Sequence, residues 1–90
     1  MKTFTFYTDP GHGWLKVSLS NLASLGFLPS DFSRYSYKKN DNLYLEEDCD
    51  AAKFVLAYKT KHGVSLKHKE SHTDRQSRIR SYSPNDGRPT

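Results

Sequence analysis

Apolar and polar residues alternate in two short segments near the N-terminus. In residues 2–8 (KTFTFYT), Phe4 and Phe6 fall on one side of an extended chain, and the threonines and the tyrosine fall on the other. Residues 14–18 (WLKVS) repeat this period of two with their leucine and valine. The pattern is typical of strands with one buried face, so we predict a β-hairpin whose long loop contains the glycines.

The period changes to that of a helix in two later segments. Residues 18–27 (SLSNLASLGF) begin with a serine suited to a helix N-cap, and Gly26 can end the helix in the left-handed conformation. Residues 46–63 (EEDCDAAKFVLAYKTKHG) have acidic residues at the start, basic residues at the end and a glycine after them. Their apolar stripe consists of Ala51, Phe54, Val55, Tyr58 and His62. We therefore predict two helices, of which the second is the longer.

The remaining alternating segments predict a second hairpin and a last strand. The two tyrosines of residues 33–39 (SRYSYKK) share one face, residues 42–47 (NLYLEE) alternate as well, and turn-prone Asp41 lies between them. Residues 64–69 (VSLKHK) predict a strand with Val64 and its leucine inward. The order β-β-α-β-β-α-β predicts an α+β fold, a mostly antiparallel sheet with two helices on one face.

The chain is expected to divide into a domain and an arm. Residues 1–69 contain all the predicted elements, whereas residues 70–90 are polar and offer only Ile79 and Tyr82 for packing. We predict an α+β domain followed by a partly disordered C-terminal arm, with disorder from about residue 83.

Charge is concentrated in the same C-terminal region. The formal net charge is +4; residues 1–66 carry eight Lys/Arg against seven Asp/Glu, and residues 67–90 carry six against three. A basic arm attracts anionic partners, although three net charges produce a weak field.

Composition bounds the class of protein. Hydrophobic residues make up 34% of the chain and aromatic residues 13%, so a small core built largely from rings is expected. A single cysteine, Cys49, excludes an internal disulfide, and no segment is apolar enough for a signal peptide or a membrane span. We expect a cytoplasmic monomer that does not bind membranes.

The loop between the first two strands invites a chemical interpretation. In TDPGHGWLKV (residues 8–17) a phosphate-binding loop is excluded, because the residues that follow predict a strand rather than a helix. Asp9 could orient His12 as a general base, but no nucleophile or oxyanion site accompanies them. We favour a turn in which Gly11 accepts a positive φ and His12 is exposed at the tip.

Trp14 follows the loop and has two interpretations. It is either an apolar residue of the core or an exposed ring for a base or a protein partner. We expect Trp14 to be buried, because tryptophan side chains are highly buried on average.

The second hairpin and the arm favour nucleic acid as an alternative partner. Tyrosines on a sheet face can stack on bases while nearby cations contact phosphates. The hairpin offers Tyr35, Tyr37, Tyr44, Lys38 and Lys39, and the arm offers Arg75, Arg78 and Arg80. Solvated tyrosines and a solubilising tail explain the same residues.

Metal ligation and thiol chemistry are the weaker alternatives. His68 and His72 are four residues apart, but on a strand that spacing is about 13 Å, too far for one ion, so we predict no metal and no cofactor. The acidic residues around Cys49 oppose formation of a thiolate. We expect one of them to cap the second helix, with the cysteine turned inward.

Three stretches resemble small proteins encoded in bacteriophage genomes. They are the pattern Y-x-D-P-G-H-G-W-L at residues 7–15, the pattern Y-L-E-E-D-x-D-A at residues 44–51 and HTDRQSRIRSY at residues 72–82. The resemblance implies a small phage accessory protein, a class that acts by binding host or phage macromolecules. It implies no catalytic residues.

The sequence therefore predicts a non-enzymatic binding module, with a host protein or a nucleic acid as its partner. A protein partner could be modulated by the binding. A small hydrolase or nuclease using Asp9 and His12 is a further alternative. The residues predicted to contact the partner are His12, Trp14, Tyr35, Tyr37, Lys38, Lys39, Tyr44, Arg75, Arg78 and Arg80.

Overall fold

Six strands form one open sheet in the computed structural model, which describes residues 3–87. In chain order they are β1 (Thr3–Thr8), β2 (Gly13–Ser18), β3 (Tyr37–Lys39), β4 (Asn42–Glu46), β5 (Lys67–His72) and β6 (Ser83–Pro84). Their spatial order is β5-β1-β2-β4-β3-β6, and every neighbouring pair is antiparallel except β1 and β5. The predicted α+β class with a mostly antiparallel sheet is confirmed, and β6 is an additional strand.

Two α-helices follow β2 and β4. Helix α1 (Leu19–Ser24) begins with a capping box, in which the Ser18 hydroxyl accepts from the Asn21 N–H at 2.9 Å and the Asn21 side chain accepts from the Ser18 N–H at 3.0 Å. Helix α2 (Asp50–His62) ends at Gly63, whose φ of 75° is left-handed as predicted. Short 3₁₀ turns occupy Pro29–Asp31 and Arg78–Ser81.

One face of the sheet packs against both helices. Leu15 of β2 and Leu45 of β4 belong to the same buried cluster as Leu22 of α1 and Phe54 of α2. Phe4 of β1 joins this cluster, and its ring contacts the Phe54 ring edge-to-face with centroids 5.7 Å apart. This core accounts for the predicted apolar faces of β1, β2 and β4.

The other face of the sheet packs against the C-terminal segment, defined here as residues 73–87. Trp14, Tyr44 and Ile79 form a second buried cluster, and three half-buried tyrosines pack against it. These are Tyr7, Tyr37 and Tyr82. Side chains alternate along a strand, so Tyr7 of β1, Trp14 of β2 and Tyr44 of β4 point away from the first core. They form a second core once the C-terminal segment covers them.

The predicted basic arm is not confirmed. β5 crosses the expected boundary at residue 69, and Asn85, expected to be disordered, is buried. The Asn85 amide donates to the carbonyl oxygens of Pro29, Phe32 and Ser33 at 3.0–3.2 Å. Hydrogen bonds of this kind can hold a segment that has little apolar surface to bury. The remainder of the expected arm, residues 88–90, lies outside the described residues.

Two strand boundaries differ from the sequence prediction. β5 begins at Lys67 rather than residue 64 because its pairing with β1 sets the register, and Val64 is 47% exposed instead of inward. β3 contains only Tyr37–Lys39, so Tyr35 lies in the preceding turn and does not share a strand face with Tyr37.

The start of α2 also differs from the prediction. Cys49 is exposed rather than turned inward, and it makes no side-chain capping bond. The Asp50 carboxylate is buried and accepts from the Ser33 N–H at 2.9 Å and from the hydroxyls of Ser33 and Ser36. This acidic residue therefore fixes the loop before β3 instead of capping its own helix.

Candidate functional site

The β1–β2 loop is organised by the side chain of Asp9. The Asp9 carboxylate accepts from the main-chain N–H groups of Gly11 and His12, both at 2.9 Å, and the Asp9 N–H donates to the His12 carbonyl at 2.9 Å. Aspartate closes turns of this kind by bonding to main-chain groups two and three residues on. The loop is a turn, as predicted.

The same carboxylate binds the C-terminal segment. Arg80 donates to Asp9 through Nε at 2.7 Å and through Nη2 at 3.0 Å, and the Ser77 N–H donates at 2.9 Å. The Arg80 guanidinium holds the pKa of the Asp9 carboxyl far below its ordinary value, assisted by these main-chain N–H groups and opposed by burial. The same bond raises the pKa of Arg80.

Two expectations for this loop change. Gly11 does not have a positive φ; its lack of a side chain matters because a Cβ atom there would lie 2.7 Å from Arg80 Nη2. The His12 imidazole does not meet the Asp9 carboxylate, which bonds only to the main chain of His12. The hydrolase alternative requires the Asp9 carboxylate to orient the His12 imidazole, and the structure does not show this contact.

Trp14 is buried, with 2% of its surface exposed. Its ring is covered by the Arg80 guanidinium, whose Cζ lies 5.6 Å from the ring centroid, and it contacts the rings of His12 and Tyr37 at 6.0 and 6.3 Å. Arg80 thus contributes a cation–π contact to the second core in addition to its ion pair with Asp9. The Trp14 ring is therefore mostly enclosed by the protein itself.

Three tyrosines pack together on the same face of the sheet. The Tyr44 ring lies 6.1 Å from the Tyr7 ring and 5.1 Å from the Tyr82 ring. Burial, together with the neighbouring phenols of Tyr82 and Tyr7, raises the pKa of Tyr44 to about 12. Tyr44 is therefore part of a tyrosine cluster rather than an exposed stacking surface.

A cleft of about 740 Å³ opens beside this cluster, between the sheet and the C-terminal segment. It is called the basic cleft below because its walls include Lys16, Arg75 and Arg78, together with Tyr7, Tyr44, His72 and Tyr82. Among the described residues, none forms an ion pair with any of these three cations. Within the same part of the chain, no residue lining the cleft carries a carboxylate.

His72 is held in place at the basic cleft. Its Nδ1 lies 2.7 Å from the Thr8 hydroxyl and its Nε2 lies 3.1 Å from the Asp74 carboxylate. Hydroxyl, imidazole and carboxylate occur in this order in nucleophilic hydrolases. Here the Asp74 side chain is 98% exposed, and water competes for an exposed carboxylate. The main effect of these two hydrogen bonds is to orient the His72 imidazole.

The two predicted lysines line a neighbouring cleft. The hairpin cleft, about 580 Å³ in volume, lies beside the β3–β4 turn and is lined by Lys38, Lys39 and Tyr82. Lys38 forms an ion pair with Asp86 at 2.9 Å. Lys39 Nζ lies 4.6 Å from the centroid of the Tyr82 ring.

A third cleft of about 400 Å³, called the rim cleft, is lined by the five remaining predicted residues, which are His12, Trp14, Tyr35, Tyr37 and Arg80. Its walls also include Arg34, Cys49 and two acidic residues, Glu46 and Asp48. Tyr35 is 76% exposed and makes no ring contact with the described residues. The predicted contact residues are therefore distributed over three clefts rather than gathered into one patch.

Sequence reasoning missed Lys16, His72, Tyr7 and Tyr82 as residues of the basic cleft. Lys16 lies on β2 next to Tyr44 of β4, and His72 ends β5 next to Thr8 of β1. The alternation of β2 could have indicated that Lys16 points away from the apolar face. His72 could not have been assigned in this way, because only the pairing of β1 with β5 brings it to the basic cleft.

Neither a metal site nor a membrane span is found in the described structure. Within residues 3–87, no group of three or more His, Cys, Asp or Glu side chains is arranged to hold a metal ion. Over the same residues, no helix has the length and apolarity that crossing a membrane requires.

Comparisons of the chain with protein-family models, with curated proteins and with solved structures gave no significant match.

Proposed function

We propose that this protein is a non-enzymatic binding module whose basic cleft contacts the phosphate backbone of a nucleic acid. The observation that supports the proposal most directly is the composition of this cleft. Lys16, Arg75 and Arg78 line it without ion-pair partners among residues 3–87, and no carboxylate lines it in that range. An anion can therefore approach without displacing an existing salt bridge.

The residue types suit a polynucleotide better than a small inorganic anion. Arginine can contact a phosphate through two parallel N–H groups, and tyrosine rings beside such cations favour a ligand that carries bases as well as phosphates. The half-buried Tyr7 and Tyr82 supply two such rings in the cleft wall, and the buried Tyr44 ring supports both of them.

The resemblance to small phage-encoded proteins implies where the partner occurs. A phage accessory protein acts in the cytoplasm of the infected bacterium, so the proposed ligand is a nucleic acid of the host or of the phage. The protein is proposed to act on it as a monomer.

The test is affinity capture from a bacterial lysate with and without nuclease treatment. The proposal expects captured nucleic acid that is lost after nuclease treatment and in the Arg75→Gln/Arg78→Gln double variant. Lys59→Gln/Lys67→Gln removes two exposed charges outside the basic cleft and should retain capture. Equal loss in both double variants would show binding governed by net charge alone and would contradict a specific role for the cleft.

A protein partner at the rim cleft is the second candidate. It is favoured by Tyr35, which is 76% exposed beside Arg34 at a cleft mouth, since tyrosine and arginine dominate the energetics of many protein interfaces. Capture of one nuclease-resistant protein that is lost in Tyr35→Ala but retained in Leu28→Ala would support it. Leu28 is a comparably exposed apolar control at 64%. Capture that survives Tyr35→Ala would exclude this site.

A further inference from the structure

We infer that the nucleic acid is single-stranded and that one strand occupies the basic cleft and the hairpin cleft together, crossing at Tyr82. This inference rests on the proposed function and adds the strandedness and the path of the ligand. The two clefts have volumes of about 740 and 580 Å³, and the Tyr82 side chain belongs to the walls of both.

Tyr82 is held in a fixed position at this crossing. Its ring lies 5.1 Å from the Tyr44 ring and 4.6 Å from Lys39 Nζ. A half-buried ring supported by a second ring and a cation is an ordered surface against which a base can pack.

Positive charge is present on both sides of the crossing. The basic cleft contributes Lys16, Arg75 and Arg78, and the hairpin cleft contributes Lys39 and the ion-paired Lys38. Asp41 supplies the one carboxylate among the described residues that line either cleft. A phosphate backbone lying along both clefts would therefore meet cations over most of its path.

The shape of this surface favours a single strand over a duplex. A base reaches the tyrosine rings only by entering a concave cleft, and paired, stacked bases cannot leave the duplex without an energetic cost. A duplex is usually read by a helix or a two-stranded ribbon placed in its major groove. Here residues of both α1 and α2 are packed into the core on the opposite face of the sheet, so neither helix is presented beside the two clefts.

The test compares single and double strands directly. Fluorescence anisotropy is measured with three labelled ligands: a DNA strand of about 12 nucleotides, the same strand annealed to its complement, and the matching RNA strand. The length lies within the roughly 4–16 nucleotides that single-strand-binding sites cover. The inference expects the single strands to bind at least about tenfold more tightly than the duplex at the same salt concentration. The DNA and RNA arms identify which single-stranded polymer is preferred.

Two variants test the path. Arg78→Gln in the basic cleft and Lys39→Gln in the hairpin cleft should each weaken single-strand binding by about fivefold and reduce the slope of log affinity against log salt by about 0.7. Combining them should reduce the slope by about twice that amount. Lys59→Gln, which removes the same charge from the exposed end of α2, is the matched control and should leave the slope unchanged. Circular dichroism confirms that each variant is folded.

Each negative result has a distinct meaning. Equal affinity for the duplex would overturn the inference and leave the proposed nucleic-acid function intact. If Lys39→Gln behaves like the Lys59→Gln control, the strand does not reach the hairpin cleft and the inferred path is wrong. Failure of all three nucleic acids to bind would overturn the proposed function itself.

Discussion

The Asp9 carboxylate and the Arg80 guanidinium form a two-bond ion pair across 71 positions of the chain, with N–O distances of 2.7 and 3.0 Å. The pair joins the β1–β2 loop to the C-terminal segment and places the Arg80 cation over the Trp14 ring. It therefore holds in place the segment that forms one wall of the basic cleft.

Loss of the Asp9 charge should destabilise the protein. In Asp9→Asn the amide cannot accept from all five N–H groups that the carboxylate now serves, and an unsatisfied buried donor costs about 1–3 kcal/mol. Urea unfolding followed by tryptophan emission measures the change. The control is Asp74→Asn, because the Asp74 side chain is 98% exposed and its loss should change stability little. Equal stability of Asp9→Asn and the wild type would contradict this role.

The Asp9–Arg80 pair should also make stability depend on acid pH. The pKa of Asp9 is lowered in the folded protein, so its contribution to stability is fully present above the unfolded-state pKa of about 4 and is lost as pH falls below that value. The stability difference between the wild type and Asp9→Asn should therefore be constant at neutral pH and shrink below about pH 4. A difference that stays constant down to pH 2.5 would show that the charge of Asp9 is not the cause.

Packing of the C-terminal segment can be tested at Ile79. This side chain is 3% exposed in the second core, so Ile79→Ala should reduce the free energy of unfolding by about 2–5 kcal/mol and should shift the Trp14 emission toward that of an exposed indole. Leu56→Ala is the control, because Leu56 is 68% exposed. If Ile79→Ala leaves both stability and emission unchanged, the segment does not cover Trp14 in solution.

Tyr44 should ionise late in an alkaline titration. Its pKa is raised to about 12, so burial of the neutral phenol stabilises the fold fully below the unfolded-state pKa of about 10, and this contribution is lost as pH rises from about 10 toward 12. Alkaline titration of phenolate absorbance should show a late step that is missing in Tyr44→Phe. Tyr35→Phe, which replaces a tyrosine that is 76% exposed, is the control and should retain the late step.

Much of the fold follows from local pattern. The alternation in β1, β2 and β4, the N-cap Ser18 and the left-handed Gly63 are each set by residues close together in sequence. The stripe of α2 is confirmed at Ala51, Phe54 and Tyr58, whereas His62 is exposed. These features were predicted because hydrophobic periodicity, capping and glycine geometry depend on neighbouring residues alone.

The second core and the clefts could not be predicted in the same way. The polar composition of residues 70–90 indicated an arm, yet Ile79, Arg80 and Asn85 bind the segment to the rest of the fold through partners that are distant in sequence. No local pattern specifies which of several acidic residues an arginine will pair with, or which carbonyl groups a buried amide will reach.

The sequence by itself determined β1, β2 and β4, the two helices, the turn at Asp9 and the supply of basic and aromatic side chains. Only the tertiary structure decided that Trp14 is buried, that Asp9 binds Arg80 rather than the His12 ring, and that Lys16 shares a cleft with Arg75 and Arg78. The physical reason is that strand pairing and long-range ion pairs assemble these residues, and their energies depend on the folded arrangement rather than on neighbouring residues.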